Sequence, residues 1–263
     1  MCELLAMSAR FPTTLHRSMA ELARHGGATG PHTDGWGVGF FQERDAFLLR
    51  EPRAASGSQW LAFLQEHDPQ SDLVIAHIRR ATQGALHLRN SQPFARELGG
   101  RMHLFAHNGM LPGIEDDARF AARRFRRVGD TDSEQACCAL LDRLAPLWED
   151  GAVPPLEARR AVIADFAREL RELGPANFLY ADGDALFAHG HRRRDDTGEI
   201  RPPGLHLLCR RCTATADGVD VALVASVPLT DEPWRPLAEG ELVVLRQGKV
   251  VAAGATAAAA QAD

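Results

Sequence analysis

Residues 132–173, DSEQACCALLDRLAPLWEDGAVPPLEARRAVIADFARELREL, decide the fold class. Over Asp132–Trp148, Ala136, Leu140, Leu144 and Leu147 recur at three-to-four spacing, which predicts a helix with one apolar face. Pro155–Leu173 repeats the pattern with Ala158, Val162, Phe166 and Leu170, opened by Pro154-Pro155 and stopped by Gly174-Pro175. Outside this pair the chain reads as short strands bounded by Gly, Pro, Asp or Asn. Before it lie Cys2–Ser8, Trp36–Phe41, Phe47–Leu49, Leu73–Ile78 and Met102–Ala106. After it lie Asn177–Tyr180, Ala185–Ala188, Leu205–Cys209, Val219–Ala225, Glu241–Leu245 and Val250–Ala252. Thr14–Arg24 and Gln59–Glu66 are two further helix candidates. This order does not alternate strand and helix regularly, which argues against a parallel doubly wound sheet. It predicts an α+β protein whose antiparallel sheets are covered by helices. Residues 1–251 read as one domain, and 252–263 as an alanine-rich, frayed tail.

The 263 residues are 45% hydrophobic and 25% charged, which excludes a mainly disordered chain. A net charge of −5 supplies no global attraction to nucleic acid or anionic lipid. Lys249 is the only lysine, so a Schiff-base or phosphate-loop lysine elsewhere is excluded. No run approaches the length of a membrane span, and the first residues lack a secretory pattern. Five cysteines, an odd number, suit a reducing, cytosolic compartment.

Several residues could carry chemistry. Cys2 becomes terminal if Met1 is removed; thiol and α-amine then share one residue, and the amine can serve as base near neutral pH. The alternative is a small apolar strand residue. Asn108-Gly109 reads as a tight hairpin turn. The same turn could offer the Gly109 N–H and the Asn108 amide as an oxyanion hole. Arg79, ending an apolar strand, is either a surface ion pair or a bidentate grip on a carboxylate. Arg80 is expected on the opposite face, so that at most one of the two serves a cleft. Thr82 and Gly84 follow in a turn. Thr131 and Glu134 form a capping box, which leaves Asp132 available for an ammonium group. His77 and His107 read as buried, hydrogen-bonded histidines. Cys137 and Cys138 read as helix core, and Cys209-Arg210-Arg211-Cys212 as a lone CxxC short of zinc ligands. Arg192–Asp196 reads as a solvated turn in which arginines face aspartates.

In chain order, Cys2, His77–Gly84, Asn90-Ser91-Gln92-Pro93-Phe94, Ala106–Gly109 and Gly129–Glu134 resemble the class II, N-terminal-nucleophile glutamine amidotransferases. Met1–Ser8 and Gly26–Gly37 look like the stand-alone bacterial members without a synthase domain. The resemblance implies a four-layer αββα sandwich. It implies Cys2 as nucleophile with its α-amine as base, Asn108 and Gly109 as oxyanion hole, Arg79 and Thr82 in substrate binding, and Asp132 on the substrate ammonium. Glutamine or another γ-glutamyl amide would be hydrolysed through a thioester, with no metal or cofactor. A partner synthase could receive the ammonia; nucleic acid and membrane are not expected partners. Two positions differ from the family pattern. Arg24-His25-Gly26 stands where many members carry arginine just before the first glycine. Arg80 and Gln83 stand where synthase-linked members carry Trp and His, which implies a different substrate fit. The competing readings are a non-catalytic amino-acid-binding or regulatory subunit on the same fold, and a Cys-His hydrolase using Cys137 or Cys209.

Overall fold

The computed structural model describes residues 1–195, 197–212 and 218–255; the side chain of Cys212, and so the CxxC reading, lies outside the described residues. The first half contains β1 (Glu3–Thr13), α1 (His16–His25), β2 (Trp36–Gln42), β3 (Asp45–Glu51), α2 (Gln59–His67), β4 (Ser71–Ile78), β5 (Phe94–Leu98) and β6 (Arg101–Gly109). Helices α3 (Asp132–Leu144) and α4 (Leu156–Leu173) follow. The second half contains β7 (Ala176–Ala181), β8 (Leu186–Gly190), β9 (Arg193–Arg194), β10 (Ile200–Arg201), β11 (His206–Cys212), β12 (Val219–Ala225), β13 (Arg235–Pro236), β14 (Glu241–Arg246) and β15 (Lys249–Ala255). Among the described residues, one sheet runs β13-β11-β12-β1-β4-β2-β3, a second runs β15-β14-β8-β7-β6-β5, and β9 and β10 form a separate ribbon. Neighbouring strands pair antiparallel, for example Leu5 with Ala225 and with Ala76 across β1.

Side-chain alternation explains the layering. On β1, Leu5 and Met7 pack with Leu15, Met19 and Leu22 of the α1 region and with Leu61 and Leu64 of α2. Leu4 and Ala6 point the other way and meet Leu104 and Ala106 of β6 and Leu179 of β7. On β6, Phe105 joins Phe178, Phe166 and the buried stripe of α3. Both sheets are thus buried on both faces, and the fold is a four-layer αββα sandwich.

Three local expectations change. The helix predicted over Asp132–Trp148 ends at Leu144 and tightens into a 3₁₀ turn over Ala145–Trp148, where Pro146 has no N–H to donate. Asn108-Gly109 is not a turn: it ends β6 and pairs with Asn177 and Ala176, and Gly109 has no positive φ. Glycine is needed there because a Cβ would sit 1.7 Å from the Pro175 carbonyl oxygen. Strand β15 extends to Ala255, which draws the first four residues of the segment read as a tail into the sheet edge.

Candidate active site

Cys2 immediately precedes β1, and Glu3 pairs with Ile78 at the end of β4. Alternation puts Cys2 on the inter-sheet face with Leu4, and Asn108 on the facing side with Leu104 and Ala106. Ser226, just past β12, joins the two strands. Its hydroxyl oxygen accepts the Leu4 N–H at 3.0 Å and contacts Asn108 Nδ2 at 3.3 Å, and its own N–H donates to the Leu4 carbonyl at 3.0 Å. Asn108 is fully buried, and its Oδ1 has no partner among the described residues. Gln92 pins the strand one residue earlier: its Oε1 accepts the His107 N–H at 2.6 Å and its Nε2 donates to the His107 carbonyl at 3.2 Å.

The Cys2 sulfur lies 3.5 Å from the Arg80 carbonyl oxygen and 3.4 Å from the Arg80 N–H. Burial pushes the thiol pKa up, opposed by the Arg80 backbone contact, the terminal amine and the Arg79 charge; Asp132 adds to the rise. Arg79 and Asp132 therefore both lie within electrostatic reach of the Cys2 thiol. The Met1 amine is pushed down by burial, with further lowering from Arg80, Arg193 and Arg194.

Arg79 is buried, and NH1 donates to the Ala85 carbonyl while NH2 donates to those of Gln83 and Gly84. Three of its five N–H bonds thus fix the guanidinium plane against its own loop, not an acid partner. Asn90 ties that loop to the one before α3: its Nδ2 donates to the Ala85 carbonyl and its Oδ1 accepts the Asp130 N–H at 2.9 Å. Asp132 is buried in the first turn of α3; Oδ2 accepts the Leu111 N–H at 2.8 Å, and Oδ1 accepts from the Ser133 N–H and hydroxyl. The capping box is half-formed. Thr131 Oγ1 accepts the Glu134 N–H, whereas the Glu134 carboxylate accepts from Val128 N, Gly129 N and Arg96.

Thr82 and Gly109 line one cavity of about 280 Å³ together with Met1, Arg80 and Arg194. Arg80 lines this wall and Arg79, buried against its own loop, does not, so the two side chains point different ways and one of them faces this cavity. His77 is buried, but neither ring nitrogen finds a partner among the described residues, and burial holds its pKa down at about 3. His107 does have one, Nδ1 to Ser133 Oγ at 2.9 Å. Cys137 is buried with its thiol pKa pushed well up by burial, a poor setting for a nucleophile.

Around the N-terminus sit groups whose roles the sequence did not reveal. His32 Nε2 lies 2.8 Å from the Met1 carbonyl oxygen and 3.8 Å from a Glu3 carboxylate oxygen; His25 Nδ1 lies 2.8 Å from the other Glu3 oxygen. Burial pushes the Glu3 pKa up, but the His25 hydrogen bond and the neighbouring positive charges outweigh it and leave the carboxyl below its usual range. Residues on distant segments, such as Ser226, leave no local spacing from which to infer this neighbourhood. Among the described residues, no group of three His, Cys, Asp or Glu side chains is placed to hold a metal ion, and no helix is long and apolar enough to cross a membrane.

Comparison with known proteins bears on the family and the fold. The family model for class II glutamine amidotransferases covers residues 1–263. The YafJ protein of Escherichia coli (strain K12), described as a glutamine amidotransferase by inference only, is 36% identical over 248 residues, spanning 92% of this chain and 96% of that one. A crystal structure of a Pseudomonas aeruginosa PA01 protein, described as a predicted glutamine amidotransferase, is 34% identical with a TM-score of 0.67, covering 95% of this chain and 100% of that one. The Bacillus subtilis glutamine phosphoribosylpyrophosphate amidotransferase shares the fold at 14% identity, TM-score 0.64, with 97% of this chain matched to 49% of that one. With the family model spanning its whole length, the chain belongs to the class II glutamine amidotransferases.

Proposed function

We propose that this protein hydrolyses the γ-carboxamide of glutamine, or of a related γ-glutamyl amide, through Cys2 after removal of Met1. The observation that carries the reading is the link from Asn108 through Ser226 to Leu4, two residues after Cys2, at one end of the inter-sheet layer. The thiol, its pKa raised by burial, needs a base at neutral pH. The α-amine freed by loss of Met1 would lie where His32 now meets the Met1 carbonyl, among the same arginines that lower the Met1 amine. It takes the thiol proton while sulfur attacks the amide carbon.

Charge then develops on the former carbonyl oxygen. Ser226 Oγ already accepts the Leu4 N–H, so its own proton is available to an acceptor. Half a turn of the Asn108 amide gives that proton to Oδ1 and directs Nδ2 to the unpaired side, beside the end of β6 at Gly109. Nδ2 and the Gly109 N–H are the proposed oxyanion donors. The α-ammonium returns its proton to the leaving nitrogen as the C–N bond breaks. Water, deprotonated by the same amine, then releases glutamate from the thioester. Arg79, with two N–H groups left over from its loop, is assigned to the substrate α-carboxylate, Thr82 to the cavity wall beside it, and Asp132 to the α-ammonium. A cytosolic setting, where thiols stay reduced, suits this chemistry.

Glutamate release from L-glutamine and a panel of γ-glutamyl amides, with Cys2→Ala beside the parent, tests the reading. Activity should vanish in the variant; unchanged activity would end the proposal. Steady glutamine turnover without a partner separates a self-contained hydrolase from a glutaminase that hands ammonia to a synthase.

A further inference from the structure

A second cavity, about 760 Å³, lies on the other side of the N-terminus, and Met1, Arg80 and Arg194 line both it and the smaller one beside Gly109 and Thr82. Met1 is thus part of the partition between them, and its loss would join the two beside the Arg80 backbone that the Cys2 sulfur contacts.

The charges on the larger cavity are not balanced. Its acids are engaged: Glu3 by His25, Glu21 by Arg24, and Asp195 by Arg201 at 2.6 Å together with Thr197. Its arginines near the N-terminus form no ion pair with a described acid. Arg193 donates NH1 to the Ser226 carbonyl at 3.3 Å, and its buried Nε has no partner among the described residues. Arg194 donates NH1 to the Gly198 carbonyl at 2.7 Å, and the exposed Arg80 guanidinium forms no hydrogen bond or ion pair with a described residue. Of the two aspartates expected to face the arginines of this loop, Asp196 lies outside the described residues, and Asp195 pairs with Arg201. All three act electrostatically on the terminal amine, so they converge on one place. Three guanidiniums that form no ion pair with a described acid, gathered in a concave site, form a receptor for a carboxylate.

We infer that the joined cleft has a leaving-group subsite in which Arg80, Arg193 and Arg194 bind an anionic amine, so that the preferred substrate is a γ-glutamyl amide of an amino acid and not glutamine itself. This rests on the Cys2 reading above. The substrate's own α-carboxylate is assigned to Arg79, across the reacting bond, which leaves the second carboxylate to this cluster.

The test compares kcat/KM for γ-glutamylglycine and γ-glutamylethylamide, whose leaving amines differ chiefly by a carboxylate. The parent should prefer the glycine amide by about 10- to 100-fold, the scale of a charge-assisted contact. Arg193→Gln and, separately, the exposed Arg80→Gln should each shrink that ratio, and added salt should shrink it in the parent. Equal efficiency for both amides in the parent overturns this inference alone. A ratio unmoved by either substitution, or both substrates weakened in proportion, also overturns it. Failure to release glutamate from either amide or from glutamine would overturn the Cys2 reading and this inference with it.

Discussion

Asn108→Ala separates catalysis from folding at this site. The substitution deletes the amide but leaves the backbone carbonyl that accepts from Asn177 Nδ2 at 3.0 Å. Ser226 keeps the Leu4 N–H, so no backbone donor is stranded. The structural loss is one long hydrogen bond and a small cavity, about 1–3 kcal/mol. For a chain of this size that is a fall in Tm of about 2–12 °C. The catalytic loss is larger. Removing one oxyanion donor costs about 2.7–4 kcal/mol of barrier, a fall of about 10²–10³ in kcat, whereas KM should move little because the donor engages charge that exists only in the transition state. Asn108→Asp, nearly the same size, removes the donor without a cavity and should lose at least as much rate. Steady-state glutamate release beside a thermal melt reads both effects. A folded Asn108→Ala protein with kcat within about threefold of the parent, or a loss confined to KM, would refute the oxyanion assignment.

Other outcomes follow from the same contacts. Gly109→Ala drives a Cβ to 1.7 Å from the Pro175 carbonyl oxygen, a backbone atom that cannot step aside, and should lower stability by at least about 3 kcal/mol in a chemical melt. Arg159→Ala strands the fully buried Asp182, which Arg159 meets at 2.6 Å, and should cost about 3–5 kcal/mol by urea titration. Arg79→Ala should raise KM more than it lowers kcat, and an unchanged KM would remove Arg79 from the α-carboxylate clamp. The Glu3–His25 contact gives a pH signature. The lowered Glu3 pKa stabilises the fold above about pH 4.5, and that share is lost as pH falls through the depressed value. The His25 pKa, raised by its bond to Glu3, stabilises below about pH 6.5, and that share is lost as pH rises through the raised value. The pair therefore contributes most between these limits, and Glu3→Gln should flatten the fall in Tm above about pH 6.5.

The layered fold was legible because apolar periodicity is local: the stripes of α3 and α4 and the strands around them can be read one segment at a time. Helix ends were harder where chemistry intervened, as when Pro146 turned the close of the first helix into a 3₁₀ turn. Asn108-Gly109 misled because its turn propensity is weaker than the ladder with β7 and the close approach of Pro175. Arg79, Asn108 and Asp132, which are proposed for the site, were nameable from motif order. Ser226, His32 and Arg193 were not, because each acts through a partner far away in the chain. Arg193 belonged to a loop whose charges looked self-compensating, and only the fold shows Arg201 taking Asp195 while Arg193 turns toward the N-terminus.

The most direct measurement is the intact mass of the purified, active protein, followed by peptide mapping after acid quench during turnover of a γ-glutamyl amide. The expected species lacks Met1 and carries a γ-glutamyl group on the sulfur of Cys2. A fully active protein that retains Met1, or an acyl group mapped to any other side chain, would contradict the account.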